Sequence, residues 1–222
     1  MEILNLGSHR IGVRFPEKGL RKGKNPAILL NDGELIEQLN LRTERAVLVG
    51  VYPNNRLSEY TPWPEPAIRP GTPDFGGQLG QYHRELNNEI FPALIDEYAL
   101  DTEKLAYGGY SLGGLAATMS LWETDAFAAV FSLCGSFWYP GVADFIEEHV
   151  PKNYSAQVYL QNGIREGEGH NNRLCDAYSY AQRVHTALQA TCGAKTVLDD
   201  YGHHDRQSER LNAALRWVER VL

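Results

Sequence analysis

Cysteine is scarce. The 222 residues hold only Cys134, Cys175 and Cys192, with no C-x-x-C spacing. So few thiols, in odd number, exclude a disulfide framework and are expected to be inert rather than redox-active or catalytic. Long apolar runs are missing too. No stretch approaches the roughly 20 residues needed to cross a bilayer, so no membrane role is expected. The start, MEILNLGSHRIGVRF, has no basic segment followed by an apolar run and a cleavage site, and a cytoplasmic location is the expectation. Positive charge is in deficit, with 21 Lys and Arg against 28 Asp and Glu and a net charge of −7. Apart from Arg21, Lys22 and Lys24 the basic residues are scattered, which excludes a nucleic-acid groove, because phosphate binding needs a clustered basic face. No internal repeat and no linker interrupts the chain, so a single domain over residues 1–222 is expected.

What is present is an alternation of strand and helix patterns. Short runs rich in Val, Ile, Leu and Ala read as strands buried on both faces: AILLN from Ala27, AVLVGVY from Ala46, KLAYGGY from Lys104, AAVFSL from Ala128, QVYLQNG from Gln157 and KTVLDDYG from Lys195. Helical spacing links Leu79, Tyr82, Leu86, Ile90 and Leu94, with a kink expected at Pro92; it recurs from Leu112 to Met119, from Leu174 to Leu188 and from Leu211 to Val218. The alternation predicts an α/β fold with a mostly parallel central sheet and helices on both faces, and a site at the carboxyl ends of the strands. HRIGVRF, from His9, is expected to add an antiparallel edge. Residues 52–78, rich in Pro and Gly, read as a long loop covering that end of the sheet.

One stretch carries chemistry. Tyr107 to Ala117, YGGYSLGGLAA, contains G-x-S-x-G at the junction of a strand and a helix, the context that exposes a serine on a strained turn. Ser111 is therefore the candidate nucleophile. A serine hydroxyl needs a base, and the base needs an acid to orient it, in the chain order serine, acid, histidine for this architecture. His203 and His204 follow the last strand, in DDYGHHDRQ; His203, next to Gly202, is the preferred base and His204 the alternative. Glu166, three residues past Gly163, is the preferred acid, with Glu168 and Asp176 as alternatives. The oxyanion would be held by the backbone N–H of Leu112 and by that of Gly33 or Glu34 in the loop after AILLN. Arg56, Tyr60, Trp63, Phe137 and Trp138 are candidates for the pocket wall, Arg56 as an anchor for an anionic or polar substrate.

With those residues in place the chain resembles the α/β-hydrolase esterases of the esterase D and enterochelin esterase type, from about Ala27 onward. The resemblance rests on LLNDG as an oxyanion loop, YGGYSLGGLAA as the nucleophile elbow, and FSLCGSFWYPG, similar to an S-G-S-[FY]-W segment. NGIREGEG and YGHHD fall in the acid and histidine regions. It implies a serine esterase that forms an acyl-enzyme from a small-molecule ester and uses no metal or organic cofactor. Two departures stand out: Cys134 replaces a usual serine, and the histidine is doubled. Three rival readings share these residues. One is an acyltransferase using the same acyl-enzyme; another is a non-catalytic binding protein of this fold. The third is a metal site built from His203, His204, Asp205 and Glu166 or His170, which irregular loop spacing disfavours.

Overall fold

A computed structural model describes residues 1–222. In chain order the elements are β1 (Glu2–Leu6), β2 (His9–Arg14), β3 (Asn25–Asn31), α1 (Leu35–Gln38), β4 (Val47–Tyr52), α2 (Arg56–Glu59), β5 (Pro64–Glu65), β6 (Phe75–Gly76), α3 (Leu79–Glu85) and α4 (Phe91–Tyr98). There follow β7 (Leu100–Tyr110), α5 (Leu112–Glu123), β8 (Ala129–Leu133), α6 (Val142–Glu148), β9 (Gln157–Gly163), α7 (Ala177–Cys192), β10 (Lys195–Asp199) and α8 (Gln207–Val221). Eight strands form one sheet in the order β1-β2-β4-β3-β7-β8-β9-β10. Across the sheet from β4 to β10 every pairing is parallel, whereas at the edge β2 pairs antiparallel with β4 and β1 antiparallel with β2.

The unbroken apolar runs follow from burial on both faces. Along β3, Ala27 and Leu29 join the larger core, beneath α3, α4, α5, α6 and α7, while Ile28 and Leu30 point to the smaller core under α1 and α8. Period-two alternation thus puts every residue of β3 in contact with a helical layer. No helix is long and apolar enough to cross a membrane.

Two expectations are refined. The long helix is interrupted beside Pro92: a π-turn over Leu86–Ile90 joins α3 to α4, and Pro92 sits in the first turn of α4. Nor is the segment 52–78 a plain loop. It contains α2, which Asn55 caps by accepting from the Ser58 N–H, and the antiparallel β5–β6 pair. Trp63 Nε1 donates to the Pro140 carbonyl at 3.0 Å, and Arg173 Nη2 donates to that of Pro66 at 2.7 Å. These contacts tie the segment across the carboxyl end of the sheet.

Candidate active site

The elbow is built by close approach of backbone. Ser111 has φ 59° and ψ −122°, a conformation an L-residue holds only when its surroundings impose it. Three hydrogen bonds impose it here: Ser111 N–H to the Leu133 carbonyl at 2.9 Å, and the N–H groups of Leu115 and Ser136 to the Ser111 carbonyl at 3.0 and 3.1 Å. The flanking glycines are required by space. A Cβ on Gly109 would lie 2.4 Å from the Gly113 carbonyl carbon, and one on Gly113 would lie 2.9 Å from Asn31 Cβ and 3.2 Å from Asp32 Oδ2.

Ser111 Oγ lies 3.0 Å from His203 Nε2, and His203 Nδ1 lies 2.9 Å from Glu166 Oε2. A carboxylate only accepts, so Nδ1 carries the proton and Nε2 presents its lone pair to the serine hydroxyl. Glu166 is 4% exposed; its other oxygen accepts from the Gly163 N–H at 2.8 Å and from Asn162 Nδ2 at 3.2 Å. Burial pushes the Glu166 carboxyl up, but the hydrogen bond and charge of His203, with the Gly163 N–H, outweigh it and hold the group below the usual glutamate range. Glu168 instead accepts from Arg165 at the surface, and Asp176 is exposed in a short 3₁₀ turn. His204 stands edge-on to His203, its ring centroid 4.8 Å away, and lines the cleft without a hydrogen bond to Ser111. Burial and the neighbouring His203 push its pKa down.

A buried cluster props the His203 loop from below. Tyr110 Oη donates to the His203 carbonyl and accepts from Arg210 Nη1 at 3.3 Å. Arg210, 2% exposed, also donates to the Gly202 carbonyl at 3.0 Å, to Cys134 Sγ at 2.8 Å and to both oxygens of Asp199. Cys134, Glu166 and His203 bring ligand atoms within 4.8 Å of one another. That set suits a cation poorly: burial pushes the Cys134 thiol up, the Arg210 guanidinium lies against its sulfur, and Glu166 and His203 are bonded to each other.

In the turn after β3 the Asp32 N–H donates to Tyr60 Oη at 3.0 Å and that of Gly33 to the Val51 carbonyl at 3.0 Å. Glu34 N–H, like Leu112 N–H at the start of α5, has no protein acceptor. The wall residues divide. Trp138 lines a cleft of about 260 Å³ beside Ser111, with Ile68, Arg69, His170, Leu174 and Ala177. Tyr60 does not reach it, being 0% exposed and turned to Asp32; Phe137 is equally buried. Arg56 is committed inward, with Nε and Nη2 donating to Asp32 at 2.7 and 2.9 Å and Nη2 also to the Tyr110 carbonyl at 3.3 Å. Trp63 packs on Tyr139 and Phe145.

One neighbour escapes the motif reading. Ser136 Oγ lies 3.3 Å from Ser111 Oγ, and with Ser111 donating to His203 it is Ser136 that donates to Ser111 Oγ. Its signal is the segment CGSFW itself, whose serine falls just past the end of β8 beside the elbow.

Residues 7–217 match the family described as "Putative esterase". "Uncharacterized protein YbbA" of Bacillus subtilis (strain 168) is 29% identical, over 83% of this chain and 82% of that one. Among solved structures, the BES protein from Bacillus cereus superposes with a TM-score of 0.75 at 20% identity, covering 95% of this chain and 90% of that one. The siderophore hydrolase EstA from Aspergillus nidulans gives 0.73 at 16%, covering 96% and 90%. An IroE-like serine hydrolase from Shewanella oneidensis gives 0.72 at 18%, covering 96% and 74%. These structures share the α/β-hydrolase fold, and the family match spans nearly the whole sequence: the chain belongs to this esterase family.

Proposed function

We propose that Ser111, His203 and Glu166 are the catalytic triad of a serine esterase acting on a small-molecule carboxylic ester through an acyl-enzyme. One observation carries the reading: an unbroken hydrogen-bonded chain of 3.0 and 2.9 Å from Ser111 Oγ through both ring nitrogens of His203 to the buried Glu166. Ser111 Oγ attacks the ester carbonyl while His203 Nε2 takes its proton. Glu166 stabilises the imidazolium and keeps the ring in the productive tautomer. The tetrahedral oxyanion is held by Leu112 N–H, at the positive end of α5, and by the free N–H of Glu34. Collapse expels the alcohol, which takes the proton back from Nε2–H, and leaves the acyl group on Ser111. Water, deprotonated by His203, then releases the acid.

The cleft suits a compact group against Trp138, Ile68 and Leu174, with Arg69 and His170 at its rim. Siderophore hydrolases are among the structural neighbours, which makes siderophore esters a first substrate panel beside aryl esters. Ser111→Ala should lower kcat for an aryl ester on the order of 10⁴-fold or more with the fold intact, and a fluorophosphonate should label the wild type at Ser111. Turnover near the wild-type rate in the alanine variant would overturn the proposal.

A further inference from the structure

Behind Glu166 the hydrogen-bonded chain continues. Asn162, at 1% exposure, sends Nδ2 to Glu166 Oε1 at 3.2 Å and to the Gly135 carbonyl at 3.4 Å. Both those partners only accept, so the amide nitrogen must face them and Oδ1 must face away. Oδ1 meets His185 Nε2 at 3.0 Å, on α7, and His185 is 3% exposed. We propose that His185 is a positioning residue for the esterase reaction: its Nε2–H locks the Asn162 amide in the one orientation that donates to Glu166, and so fixes the carboxylate behind His203. The inference rests on the triad reading.

A leucine or phenylalanine would fill the same volume, but neither supplies a donor. Without one, Asn162 Oδ1 would be left buried and unpaired, and only the longer bonds to Glu166 Oε1 and the Gly135 carbonyl would hold the amide. His185 Nδ1 is buried with no partner, a state tolerable for a lone pair but costly for an N–H. A neutral ring protonated at Nε2 is therefore the form that fits. Burial, opposed by the charge of Glu166, pushes its pKa down to about 4, so it remains a fixed donor near neutral pH. Glu166 is faced by His203 ahead of α8, by the Cys134 thiol after β8 and by Asn162 and Gly163 of β9; Arg210 of α8 donates to the Cys134 sulfur and not to the carboxylate.

The test compares kcat/KM against pH for wild type, His185→Phe and His185→Gln on an aryl ester. In the Phe variant the unanchored amide donates less well to Glu166, which raises the basicity of Glu166 and of His203 together, so the acid limb should move to higher pH by about 0.5 unit or more. Gln can donate to Oδ1 and should restore the wild-type limb. A folded Phe variant with an unmoved limb would overturn the proposal. If that variant does not fold, ¹⁵N NMR of the wild type decides: Nε2-protonated and neutral from pH 5 to 9 is expected, and an Nδ1–H tautomer or a titration in that range would overturn it. Ser111→Ala, run alongside, separates the outcomes, because activity surviving there defeats the triad itself rather than the role of His185.

Discussion

Gly109→Ala tests whether the elbow's geometry, rather than only its serine, matters. The added Cβ would stand 2.4 Å from the Gly113 carbonyl carbon, 2.5 Å from its oxygen and 3.0 Å from its Cα. All three atoms are backbone, so no side chain can swing aside. Restoring ordinary contact near 3.4 Å requires strand and helix to part by about 1 Å, an overpacking strain typically costing about 1–3 kcal/mol. For a domain of this length that lowers Tm on the order of 5 °C. The same displacement moves Ser111, on the hinge between β7 and α5, away from His203 Nε2, now 3.0 Å distant. Misplacement by about 1 Å costs on the order of 10²-fold in rate. Gly80→Ala is the control: its Cβ would meet nothing closer than Arg84 Nη1 at 3.5 Å, and in a helix alanine should raise stability by about 0.5–1 kcal/mol. Differential scanning calorimetry and aryl-ester kinetics on both variants decide the matter. Wild-type Tm and turnover in Gly109→Ala would refute the steric argument.

Glu166→Gln should keep the fold and lower kcat on the order of 10³–10⁴-fold, because the amide favours the wrong imidazole tautomer; steady-state kinetics checks this. His203→Ala should match Ser111→Ala in rate loss, whereas His204→Ala should retain most of kcat and change chiefly KM, since His204 lines the cleft without touching the serine hydroxyl. Equal losses in the two histidine variants would contradict that assignment. Burial pushes the Asp199 carboxyl up, but its bonds to Arg210 and Gln161 prevail and hold its pKa below the usual range. A depressed folded pKa stabilises above the unfolded value, near 3.9, and that contribution vanishes as pH falls through the lower folded value. Urea unfolding should therefore find Asp199→Asn less stable than wild type at pH 6, with the gap narrowing below about pH 4.

Much of this molecule is legible along the chain because its signals are local. Runs such as AILLN and AAVFSL are apolar at every position, which only a sheet covered on both faces can bury. The elbow is legible because a strand, a serine and a helix are adjacent in sequence, and the required glycines flank them. The order of the strands was not, since β4 lies between β2 and β3 and the chain must cross to reach it. Nor was the choice between His203 and His204, neighbours of identical chemistry. Both rings line the same cleft, and the Tyr110 and Arg210 bonds from β7 and α8 to the His203 and Gly202 carbonyls hold the loop in which His203 meets Ser111. Arg56 and Tyr60 have the right chemistry for a pocket but are engaged by Asp32, across the turn after β3. Ser136 lies in the segment CGSFW, whose pattern names no role for it, and Asn162 and His185 carry no motif of their own. Residue type and spacing determined the fold class and the position of Ser111 on its elbow; long-range hydrogen bonding decided which polar groups converge on it, because those contacts join segments far apart in the chain.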